Sequence, residues 1–217
     1  MPRLAKGLAG VVLLGALWPG VATANITIGS SLSTATNASQ VTSASTVYSQ
    51  TSLAGAQLTS PVDGTLVTWR IRGARSGPAA NTLTLRVVRP SGGQIVGEAS
   101  SAPQTIPNNL DDDVLRTFST SLPIHAGDQI ALAAEANTQV PMAFYPGPTF
   151  QEFNSFADGS SSGSPTFVGL TGELQFNADI ATTETPGTTP APAPHKKCKK
   201  GRKLKRGKCV KKKKKRK

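Results

Sequence analysis

Lysine is missing from most of this chain. The 217 residues include 24 Lys and Arg, yet none of those between Ala24 and His195 is a lysine. The six cations of residues 25–194 are all arginines: Arg70, Arg72, Arg75, Arg86, Arg89 and Arg116. All 12 acidic residues fall in the same stretch, which therefore carries −6, whereas residues 195–217 hold 16 cations and no acid. A body of net negative charge excludes a polyanion-binding face spread over the whole molecule and confines that property to the tail.

Cysteine is equally scarce. The only two, Cys198 and Cys209, lie in the tail, so the body has no disulfide framework. A structural zinc site needs four ligands, and Cys198, Cys209 and His195 do not supply them. With only His125 and His195 in the chain, acid–base chemistry by histidine has little to stand on. His125 sits beside an Ala-Gly-Asp turn and reads as a surface residue. The many serines lack a Gly-x-Ser-x-Gly elbow. The acidic run NNLDDD (residues 108–113) offers hard oxygen ligands without the spacing of a calcium loop, and reads as a solvated loop. No metal or cofactor is expected. Only one long apolar run exists, LAGVVLLGAL (residues 8–17). Preceded by Arg3 and Lys6 and followed by Ala22-Thr23-Ala24, it is too short to span a bilayer and reads as a signal peptide over residues 1–24, which places the mature chain outside the cytoplasm.

Four parts follow: the signal segment, a body at residues 25–181, a Pro/Thr linker at 182–194 (TTETPGTTPAPAP) and a basic tail at 195–217. The body is long enough for one domain with its own core. No stretch of it shows a helical stripe, whereas period-two alternation recurs. In TLVTWRIR (residues 65–72) Val67, Trp69 and Ile71 point one way and Thr68, Arg70 and Arg72 the other; in NTLTLRVVR (residues 81–89) Leu83, Leu85 and Val87 alternate with Thr84 and Arg86. Further strands are expected at residues 26–28, 46–50, 94–99, 114–119, 129–134, 140–145 and 174–180. Short strands parted by Gly, Pro, Ser and Asn indicate an all-β, antiparallel β-sandwich of jelly-roll type.

The segments SPVDGTLVTWRIR, LTLRVVRP, FSTSLPIHAGDQIAL and ELQFNADI resemble those of secreted, jelly-roll-like β-sandwich proteins of high-GC, Actinobacteria-type bacteria, some of which end in a Pro/Thr linker and a Cys-bearing, Lys-rich tail. The resemblance covers most of the body and the tail. It implies the fold and export, and brings no reaction with it.

The tail is expected to lack regular structure apart from what its cysteines impose. Ten residues separate Cys198 from Cys209, and Gly201 and Gly207 allow a bend, so in an exported chain the two favour a disulfide-closed loop worth about 3 kcal/mol of chain entropy, against free or intermolecularly paired thiols. Lys196, Lys197, Lys199, Lys200, Arg202, Lys203, Lys205, Arg206, Lys208, Lys211, Lys212, Lys213, Lys214, Lys215, Arg216 and Lys217 form the candidate polyanion contact. No aromatic residue lies among them, so stacking on single-stranded nucleic acid is not expected. An anionic cell-envelope polymer, or another polyanion met without specificity, is the expected partner. A tail that only solubilises, or that folds back on the acidic body, is the plainer alternative.

Five of the body's aromatics crowd into FYPGPTFQEFNSF: Phe144, Tyr145, Phe150, Phe153 and Phe156. Exposed, they would form a platform for sugar rings; buried, they anchor a loop. The functional expectation is a secreted, non-enzymatic binding or structural protein held at the envelope by its tail. The alternatives are a carbohydrate-binding module using that platform, and a hydrolase drawing on Glu98, Asp128, Glu135, Glu152 or Glu173.

Overall fold

A computed structural model describes residues 25–73, 81–106 and 113–182, together with the backbone of two short strands in the tail. The body and the tail fall in separate compact units. The described residues contain only strands, turns and bends, and no helix among them is long and apolar enough to cross a membrane.

The body is an antiparallel β-sandwich. One layer is a seven-stranded sheet in the order β12 (Phe167–Thr171), β11 (Thr149–Asn154), β3 (Thr46–Ser52), β9 (Gln129–Ala134), β5 (Asn81–Ser91), β6 (Gln94–Ser100), with β7 (Gln104–Ile106) also paired to β5. A four-stranded sheet contains β1 (Asn25–Gly29), β14 (Phe176–Ala181), β4 (Gly64–Arg72) and β8 (Leu115–Ile124), in that order. A three-stranded sheet runs β13 (Glu173–Leu174), β10 (Gln139–Ala143), β2 (Ala38–Val41). One apolar core takes side chains from all three: Leu83, Leu85 and Val87 from β5, Trp69 and Ile71 from β4, and Val140 and Met142 from β10.

Trp69 is fully buried and packs on Phe118 with ring centroids 4.6 Å apart. The alternation read from β4 fails at one residue. Leu66 rather than Val67 enters the core, because the register of β4 slips on both flanks between Leu66 and Thr68. A bulge adds a residue that period two cannot anticipate.

The β5–β6 hairpin also turns later than the 81–89 stretch read from alternation. The strand continues to Ser91, and the turn is Gly92-Gly93, with φ of 58° and 82°. Two successive positive φ values make the two-residue turn whose twist matches an antiparallel pair. Past Val88 only β6 flanks β5, so the absent N–H of Pro90 leaves no central ladder unpaired.

The stretch at 174–180 spans two sheets. At Gln175 the chain leaves β10 for β4, its N–H donating to the Pro141 carbonyl (3.2 Å) and its carbonyl accepting from Arg72 N (2.9 Å). Strands β2, β7, β11 and β12 had no alternating signature.

A second, smaller core lies on the outer face of the seven-stranded sheet: Val47, Val88, Ile95, Ala131 and Phe153. Residues 155–163 cross it as a strap and follow the free side of β6, through Gly159 N to Gly97 O (2.7 Å) and Ser162 N to Ile95 O (2.8 Å). The strap covers what would be an open sheet edge.

In the tail, β15 (Arg202–Lys205) pairs antiparallel with β16 (Lys208–Lys211), Leu204 facing Cys209. Cys198 and the proposed disulfide lie outside the described residues, as do the signal segment and most of the linker.

Candidate ligand-binding site

The aromatic segment does not stay together. β10 ends at Ala143, residues 144–148 arch from the three-stranded sheet to the seven-stranded one, and β11 begins at Thr149. Phe150 and Phe153 are each 1% exposed, and because they sit three apart on a strand they enter opposite cores. Phe150 tilts against Tyr48 at 6.1 Å. These two rings are therefore unavailable to a surface platform, and the five-ring arrangement expected from the sequence is not formed. Phe156 is half-buried on the strap itself, with the Arg86 guanidinium 4.2 Å from its ring centre. Phe144 is exposed and Tyr145 half-buried, both on the arch.

Around Tyr145 the sandwich end is hollow. A pocket of about 210 Å³ lies against Ser31, Ser33, Thr34, the residues 53–56 and Glu173. A second of about 270 Å³ shares Leu53, Ala54 and Tyr145 with it and continues over Pro146 and Pro148. Glu173 is only 2% exposed. Its Oε1 accepts from Ser30 Oγ (2.5 Å) and its Oε2 from the Tyr145 hydroxyl (2.5 Å). That bond, ahead of burial, holds the Tyr145 hydroxyl above the ordinary range for a phenol.

The wall formed by residues 30–34 is held in an unusual shape. Leu32 has φ of 56°, a left-handed conformation uncommon for a branched apolar residue. Its N–H donates to Ser30 Oγ (2.8 Å) and its carbonyl accepts from Arg72 Nη1 (2.7 Å). Arg72 is itself fixed by both oxygens of Asp113, at 2.8 and 2.7 Å. Asp113 is the described end of the NNLDDD run, and this pairing lowers its pKa; Asp111 and Asp112 lie outside the described residues. Low-complexity composition hid this wall: in SSLSTATNAS no residue stands out.

A shallower cleft of about 340 Å³ occupies the outer face of the seven-stranded sheet, lined by Ser45, Thr84, Ser100, Glu135, Phe156 and Asp158 among others. Its floor is a latch. Arg86 donates to the Phe156 carbonyl and to Asp158 Oδ1, both at 2.6 Å, and Ser100 Oγ donates to the same carboxylate.

Two further arginines are tied to carboxylates in the same way. Arg70 makes two bonds to Asp179, and Arg89 reaches Asp128 (2.9 Å) and Glu98 (3.1 Å). Four of the five arginines described in the body thus contact carboxylates. Asp128, expected on a surface turn, is fully buried; it also accepts from the His125 backbone N–H, closing the turn from inside. Glu152 is buried between Tyr48 and Phe167 in register, with Oε1 unpartnered, and burial raises its pKa. Among the described residues no group of three acidic, His or Cys side chains forms a metal-binding cluster.

No protein family, curated protein or solved structure matches this chain.

Proposed function

We propose that this is a secreted, non-enzymatic binding protein retained at an anionic cell envelope by its basic tail. The observation that carries the reading is the state of the body's arginines. Arg70, Arg72, Arg86 and Arg89 are each paired with a carboxylate, Asp179, Asp113, Asp158 and Asp128, so among its described residues the body, already acidic, keeps little unneutralised positive charge. Attraction to a polyanion then rests on the 16 tail cations, and the register of β15 and β16 brings Arg202 opposite Lys211 and Lys205 opposite Lys208. Such contacts gain free energy from counterion release and weaken steeply with salt.

The test compares the mature chain with one ending at Pro194 on isolated, anionic cell walls across a salt gradient. The full chain is retained at low salt and released as salt rises; the truncated chain passes through at every salt. Equal retention of both overturns the anchor. The sugar platform of five rings is set aside, because Phe150 and Phe153 are interior residues.

A further inference from the structure

Among the described residues of the body, four carboxyl side chains are well buried, and their surroundings differ. Asp128 and Asp179 each face an arginine, and Glu152 has neither a cation nor a full set of donors. Glu173 is the remaining one. Among the described residues its partners are Ser30 and Tyr145 alone, with no Arg, Lys or His against it, and it borders a pocket. Buried carboxylates ordinarily meet a counter-charge. Two hydroxyl donors occupy two of the roughly four acceptor positions of a carboxylate. The cation that would complete the set has room to come from outside.

We propose that the pocket beside Glu173 and Tyr145 binds an amino sugar through its protonated primary amine. The ammonium sits against the Glu173 carboxylate and Tyr145. The hydroxyls of Ser31, Ser33 and Thr34 face the ring hydroxyls of the sugar, and a pocket of about 210 Å³ matches a single hexose-sized unit. The adjoining hollow over Tyr145, Pro146 and Pro148 is more apolar and takes the next unit of a chain, its ring face lying on the prolines. The wall is fixed beforehand, because Leu32 is held in its left-handed conformation by Ser30 and Arg72. Strained backbone of this kind gathers at ligand sites. The proposal is independent of the tail, whose interaction is with anions.

Calorimetric titration of the full mature chain with glucosamine, N-acetylglucosamine, glucose and lysine tests it. Glucosamine is expected to bind at least 10-fold more tightly than the other three. Glu173→Gln weakens glucosamine by at least 10-fold. Because that change also disturbs Ser30 and Tyr145, Ala54→Phe is the second variant: it fills the wall common to both hollows from an exposed position, and abolishes binding with an unchanged melting temperature. Equal binding of glucose or N-acetylglucosamine overturns the role of the amine. Lysine binding as well as glucosamine overturns the sugar. No binding by glucosamine, or binding untouched by Ala54→Phe, overturns the site.

Discussion

Asp179→Asn tests the latch on the outer face of the four-stranded sheet. Asp179 accepts from Arg70 at 3.0 and 2.5 Å and from Thr27 Oγ1 at 2.8 Å, and its side chain is 10% exposed. Asparagine keeps the shape and one acceptor for Thr27 but removes the charge. Hydrogen bonds to charged groups contribute about 1.5–3 kcal/mol and neutral ones about 1, so losing charge assistance in the two Arg70 bonds costs on the order of 2 kcal/mol. For a domain of this size that lowers Tm by about 4–8 °C. Trp69, on β4 next to Arg70 and the body's sole tryptophan, reports unfolding by fluorescence in urea. The loss also has a pH signature. Arg70 holds the Asp179 carboxyl below its ordinary 3.8, so this stability is present above that value and lost as pH falls through the folded pKa. Wild type and variant therefore differ at neutral pH and converge in acid. A pH-independent difference, or none at pH 7, refutes the argument that the charge pair is what stabilises this face.

Glu152→Gln has the opposite slope: burial holds the Glu152 carboxyl above 4.5, so the folded state keeps a proton that the unfolded state loses. Its stability is complete below that value and declines as pH rises through the folded pKa, so the variant gains on wild type between acid and neutral pH in thermal melts. Phe153→Ala removes a fully buried ring and costs about 3–5 kcal/mol, whereas Phe144→Ala, on the exposed arch, changes urea stability by less than about 0.5 kcal/mol. Arg86→Lys cannot reproduce both 2.6 Å contacts to the strap, and limited proteolysis will cut residues 155–163 faster in the variant than in wild type.

Where a strand has one buried and one polar face, period two carried the assignment, as in β5, whose Leu83, Leu85 and Val87 all reach the core. It failed where neighbours intervene. Val67 gave its place to Leu66 because β4 must accommodate bulges against β8 and β14 together. Arg86, on the face read as solvent-exposed, is buried because a strap some 70 residues away lies over it. Strand β11 was invisible because Phe150 and Phe153 serve two cores, which erases alternation. Of the candidate site, Tyr145 and Glu173 stood among the residues singled out, but Ser30, Leu32 and Thr34 did not, since nothing in a run of Ser, Thr and Ala signals a strained loop.

The sequence by itself determined the chemistry that depends on composition. Charge, the absence of lysine from the body and the alternation of apolar residues are properties of short windows, and they decide the separation of an acidic β-sandwich from a basic tail. Tertiary structure alone decided which aromatics are buried, which arginines are paired and which buried carboxyl groups are left without a cation. Those outcomes depend on pairings across 28 to 143 residues, such as Tyr145 and Ser30 with Glu173, and only a folded sheet brings such partners within 2.5 Å.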